Sequence, residues 1–123
     1  RKLEEWTEQK RQIATFYNKL LKDLVETPLE QEDGKHVYHL YTIKTAKRDA
    51  LAEHLKSKGI AVGVYYPIPL HFQEAFKYLK YRKGSMPISE KMTQEILSLP
   101  LFPELTEEEV TFICNEIKSF FGK

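Results

Sequence analysis

The chain has 123 residues, 41% hydrophobic and 30% charged, with 19 basic against 18 acidic side chains and a net charge of +1. That length supports one domain with a single core and leaves little room for an enclosed cofactor. The near-neutral balance excludes the strong positive field of a general nucleic-acid binder. Cys114 is the single cysteine and permits no internal disulfide, and no apolar run reaches the roughly 20 residues that cross a bilayer. The sequence therefore predicts a cytoplasmic protein with neither a membrane nor a nucleic-acid partner.

Residues 3–24 carry Leu3, Trp6, Ile13, Phe16, Tyr17, Leu20, Leu21 and Leu24 at three- and four-residue steps, which predicts an amphipathic helix. No capping residue precedes this pattern, so the chain is expected to be cut from something longer. ETPLEQEDGK (26–35) reads as a loop. HVYHLYTIKT (36–45) alternates, with Val37, His39, Tyr41 and Ile43 on one face and Tyr38, Leu40 and Thr42 on the other. Both faces are largely apolar, which predicts a strand covered by helices on one side and by another domain on the other. Thr45 is the expected cap of a helix over 46–58, with Ala50, Leu51 and Leu55 inward and Gly59 as its stop.

IAVGVYY (60–66) predicts a second strand, followed by the stiff loop YYPIPLH, whose two prolines disfavour helix. Residues 72–81 predict a short helix with Phe72, Phe76 and Leu79 inward. Residues 85–97 predict another, with Pro87 in its first turn and Met92, Ile96 and Leu97 inward. SLPLFPEL (98–105) is too proline-rich for a central strand, so residues 98–101 are expected to pair only at an edge. Thr106 and Glu109 form a capping box ahead of Val110, Ile113, Ile117 and Phe120 on one helical stripe. The order predicts an α+β two-layer domain.

Chemistry-bearing motifs are scarce. His36, His39, His54 and His71 have no metal-site spacing, and His54 reads as part of a solvated face. Cys114 lies on the apolar stripe of the last helix and reads as a small core residue, not a nucleophile. The basic, tyrosine-bearing run KYLKYRKG (77–84) reads as a solvated helix end.

RDALAEHLKSKGIAVGVYYPIPLHFQEAF and MPISEKMTQEILSLPLFPELTEEEV together resemble the C-terminal small domain of the DegT/DnrJ/EryC1/StrS family of pyridoxal-phosphate (PLP)-dependent sugar aminotransferases. RQIATFYNKLLKDL resembles the element that leads into it. The resemblance implies a helix over 1–24 leading into a small domain over 25–123 of the aspartate-aminotransferase-like fold, with a short antiparallel sheet and helices on one face. It also implies a large PLP-binding domain outside this chain. That domain would carry the Schiff-base lysine, so no catalytic, cofactor-binding or metal residue is expected here, and the chain alone is expected to be inactive and free of PLP. The implied reaction moves an amino group, from glutamate as usual donor, to a keto group of a nucleotide sugar in a homodimer that builds cell-surface polysaccharide or related products.

Within that scheme the proline-rich loop resembles a rim of the active-site cleft, which makes Tyr65, Tyr66, His71 and Gln73 the implied substrate-binding residues. Many relatives carry His-Tyr-Pro where this chain has Tyr65-Tyr66-Pro67, and the variant looks most like members acting on UDP-linked 3-keto-uronic acid sugars. The competing reading is a free-standing module that binds a sugar nucleotide or a protein without catalysis.

Overall fold

The computed structural model describes residues 2–123. α1 (Leu3–Leu21), β1 (Tyr41–Lys44), α2 (Arg48–Ser57), α3 (Pro87–Glu95), β2 (Ile96–Leu99) and α4 (Glu107–Phe120) follow in that order, with two 3-10 turns, Leu70–Phe72 and Glu74–Leu79, between α2 and α3. β1 and β2 pair antiparallel, Tyr41 opposite Leu99 and Ile43 opposite Leu97. These four side chains are buried and meet Ala14, Tyr17 and Leu21 of α1, Leu51 and Leu55 of α2, and Val110, Ile113, Cys114 and Ile117 of α4 in one core. The sheet is widened by a single bridge on each side, Glu26 to Lys44 and Gly63 to Ser98. The result is an α+β domain with its helices packed on one sheet face.

The capping box of α4 is formed: the Glu109 N–H donates to Thr106 Oγ1 and the Thr106 N–H to the Glu109 carboxylate. Tyr17 stacks on Tyr41 at 4.7 Å between ring centroids. The Tyr17 hydroxyl donates to the Pro100 carbonyl at 3.0 Å and that of Tyr41 to Asn18 Oδ1 at 2.7 Å, so both buried phenols are satisfied.

Several expectations are corrected. α1 ends at Leu21, and Leu3 and Trp6 stay 72% and 44% exposed, outside the core stripe. β1 is only four residues long because Tyr38 takes φ 45, which breaks the alternation and turns its ring into the core while Val37 and Leu40 face out. Thr45 does not cap α2; its Oγ1 accepts the Lys47 N–H, and Lys47 occupies the cap position. Ala52, not Ala50, faces inward.

The predicted strand over 60–66 is reduced to the Gly63 bridge. Its place is taken by β2, buried at all four positions. Flanked by β1 on one side and Gly63 on the other, β2 is interior rather than an edge, and Pro100 limits its length without displacing it. α3 accordingly stops at Glu95, and Ile96 and Leu97 belong to the strand. The helix predicted over 72–81 is a 3-10 turn with no buried residue. His54 is half-buried on the seam between α2 and α4, with Nε2 3.2 Å from Glu116 Oε2.

Candidate functional site

The loop that follows Gly63 is pinned at its root. The Gly63 N–H donates to the Ser98 carbonyl at 3.1 Å, and the Ser98 N–H returns to the Gly63 carbonyl at 2.8 Å. Beyond this bridge Tyr65, Tyr66, Ile68 and Leu70 are 50%, 70%, 50% and 71% exposed. The Tyr65–Tyr66 peptide is cis, and the two rings meet edge to face at 5.7 Å. Pro69 holds extended backbone (φ -64, ψ 146) up to the first 3-10 turn. Gln73, also extended, donates its N–H to Leu70 and keeps its side chain exposed.

Tyr65 folds back on the loop's root. A Cβ on Gly63 would lie 2.6 Å from Tyr65 Cε2. Gly63→Ala is therefore expected to displace the Tyr65 ring at a stability cost of about 1 kcal/mol, since the obstructing group is a half-exposed side chain. A crystal structure of the variant with Tyr65 unmoved would refute this.

His71 turns inward, in contrast to the 70% exposed Tyr66. It is 7% exposed, with Nε2 3.1 Å from Glu90 Oε1 and its ring 4.1 Å from Phe72 and 5.7 Å from Tyr81. Glu90 lies near the start of α3 and also accepts the N–H groups of Gly84, at 2.8 Å to Oε2, and Met86, at 3.1 Å. The Gly84 N–H, seconded by those of Met86 and by His71, holds the Glu90 carboxyl below the usual carboxylate range against the opposing effect of burial. An apolar hollow of about 210 Å³ lies beside this pair, lined by Leu70, His71, Phe76, Leu79, Tyr81 and Met86.

The structure thus leaves Tyr65, Tyr66 and Gln73 exposed on the loop, with the Tyr65 and Tyr66 rings in contact, and buries His71. Sequence reasoning missed Glu90. Its one signal was a carboxylate four residues after Met86, at the start of a helix that opens on Pro87.

This loop can donate hydrogen bonds and stack, but it holds no activated nucleophile. Burial pushes the Cys114 thiol up to about 12, as suits a core residue. None of the described lysines is buried, and Lys44 is held by Glu26 at 2.6 Å.

The family described as the DegT/DnrJ/EryC1/StrS aminotransferase family matches residues 1–118. The chain belongs to this family. A pleiotropic regulatory protein of Geobacillus stearothermophilus is 48% identical over 97% of this chain and 33% of its own length. A UDP-N-acetyl-3-dehydro-alpha-D-glucosamine 3-aminotransferase of Acidithiobacillus ferrooxidans is 35% identical over 92% of this chain and 30% of its own. The crystal structure of a DegT DnrJ EryC1 StrS aminotransferase from Brucella abortus superposes with a TM-score of 0.92 at 37% identity, covering 99% of this chain and 33% of that one. The chain spans about a third of the length of the relatives it matches. Its fold is that of the small C-terminal domain of the aspartate-aminotransferase-like enzymes.

Proposed function

We propose that this chain is the small domain of a PLP-dependent nucleotide-sugar aminotransferase and that its loop over 65–73 supplies one edge of the sugar site. The observation that carries the reading is the loop itself: Tyr65 and Tyr66 stand exposed on a segment anchored at one end by Gly63 to β2 and at the other by His71 to Glu90, and the exposed Gln73 follows just past the second anchor. Exposed aromatic and amide groups held on stiff backbone bind sugar hydroxyls at small entropic cost. PLP, held by the remainder of the full-length enzyme, supplies the electron sink for amino transfer. The amino donor is glutamate, the working unit is a cytoplasmic homodimer, and the substrate is a UDP-linked 3-keto sugar. The name of the Acidithiobacillus relative supports the keto position and the nucleotide, and the Tyr65-Tyr66-Pro67 variant supports a uronic acid.

The test is single-turnover transamination by the full-length enzyme containing this chain. Its amino-loaded form is mixed with UDP-linked 3-keto sugars, with and without a carboxylate at C6, and with a dTDP-linked analogue. Amino transfer fastest to the UDP-linked uronate supports the whole reading, and preference for another nucleotide sugar overturns only the finer assignment. Nucleotide-sugar binding with no amino transfer to any of them would establish instead a binding module without catalysis.

A further inference from the structure

We propose that Glu90 is a positioning residue for the sugar-binding edge and that it acts through His71. The inference rests on the function proposed above and identifies what sets the geometry of that site. The Glu90 side chain is 12% exposed and that of His71 is 3% exposed, so neither is free to present a broad surface to a substrate. Instead, the Glu90 carboxylate gathers three pieces of backbone. It sits on α3, takes the N–H groups of Gly84 and Met86 from the preceding turn, and meets His71 Nε2 from the loop over 65–73.

Each contact has a physical reason. Gly84 adopts φ +88, a conformation that glycine reaches without penalty, and this aims its N–H at both carboxylate oxygens. The turn is closed by the Ser85 N–H to the Arg82 carbonyl at 3.0 Å and the Arg82 N–H to Ser85 Oγ at 3.1 Å. A carboxylate removed from water is costly unless donors surround it, and here they do. Because Glu90 accepts, the pairing assigns a proton to His71 Nε2. Tyr81 packs edge to face on the same imidazole, so the turn and the loop are joined by a ring contact as well as through the carboxylate. Val64 packs half-buried against the core beside Gly63, and from Tyr65 to Leu70 the side chains are exposed apart from a half-buried Pro69, so His71 is the distal tether of the segment that carries Tyr65 and Tyr66.

Glu90→Gln leaves one acceptor oxygen where the carboxylate had two and directs an NH2 group at existing donors. His71, Gly84 and Met86 all reach Oε1 and Gly84 also reaches Oε2, so the amide turns its NH2 either on the Gly84 N–H alone or on all three donors, and in both orientations the charge that holds the turn to His71 is gone. In the full-length enzyme the expected result is a rise of about tenfold in KM for the nucleotide sugar with kcat changed by less than about twofold, as a misplaced binding edge produces. The glutamate half-reaction and PLP loading serve as internal controls. His71→Gln, which keeps an amide donor, is expected to recover part of the sugar affinity that His71→Leu loses.

A merely structural role predicts instead a lowered melting temperature with both half-reactions falling together, and that result, or an unchanged sugar KM in folded Glu90→Gln, overturns the inference. Should Glu90→Gln not fold, the His71 pair decides: equal loss in His71→Gln and His71→Leu overturns it, and partial recovery in His71→Gln supports it. Tyr65→Phe, measured in parallel, separates the two levels. If it weakens sugar use while Glu90→Gln does not, only the positioning role falls. If both are silent and Tyr66→Phe is silent too, the sugar-edge reading falls with it.

Discussion

Ile117→Ala is expected to lower the unfolding free energy by about 2–5 kcal/mol, the usual cost of emptying a fully buried branched aliphatic site. Ile117 has no exposed surface and belongs to the cluster in which α4 meets α1, α2 and the sheet. Its neighbours on the same stripe, Val110, Ile113 and Cys114, are buried too, so the cavity would open within packed apolar groups. Phe112, 49% exposed on the opposite side of α4, provides the control. Phe112→Ala is expected to cost less than about 1 kcal/mol, as surface truncations do. Equilibrium urea denaturation of the two variants checks the face of α4 directly. A cost below about 1 kcal/mol for Ile117→Ala would mean that the helix docks differently.

Alkali should destabilise the fold steeply. Burial pushes the Cys114 thiol up to about 12 from 9.0, and burial likewise raises the Tyr17 and Tyr41 phenols above their ordinary 10.0. All three keep their protons in the fold at a pH where the unfolded chain has released them. Their stabilising effect is therefore fully present below the unfolded values and is lost as pH rises through them towards the folded ones. Each group contributes a slope of about 1.4 kcal/mol per pH unit, so the three together approach about 4 kcal/mol per unit above pH 10. Urea midpoints should hold steady up to about pH 8, decline gently to about pH 10 as Cys114 titrates in the unfolded chain, and then fall sharply. Cys114→Ala should remove the gentle phase. A midpoint constant through pH 11 would contradict the burial of these groups.

The parts of the fold legible in the sequence are those whose signals are local. The Thr106–Glu109 box and the Val110, Ile113, Ile117 stripe describe α4 without reference to the rest of the chain, and the spacing of Tyr17 and Leu21 does the same for the second half of α1. β2 was hidden because its burial depends on two partners distant in sequence, β1 and Gly63, which supply pairing to a segment whose Pro100 and Pro103 argue locally against a central strand. The segment over 72–81 carries a helical apolar spacing yet buries nothing: Phe72 and Leu79 are 37% and 48% exposed. Its pattern describes a surface, not a core stripe.

The site was legible only in outline. The prolines and tyrosines mark a stiff aromatic loop, and the family resemblance attaches a role to it. The inward turn of His71 follows from Glu90, which lies 19 residues further on, beyond the reach of any local pattern.

The central claim, that the loop over 65–73 is a sugar-binding edge, is tested most directly by separating the two half-reactions in full-length Tyr65→Phe and Tyr66→Phe. Each substitution removes one hydroxyl and keeps the ring, so packing is little altered. Losing a hydrogen bond costs about 0.5–1.5 kcal/mol to a neutral partner and about 1.5–3 kcal/mol to a charged one. The expected fall in kcat/KM for the nucleotide sugar is therefore about threefold to a hundredfold, with the glutamate half-reaction and cofactor loading unchanged. An unchanged sugar kcat/KM in both folded variants, or an equal loss in both half-reactions, would contradict it.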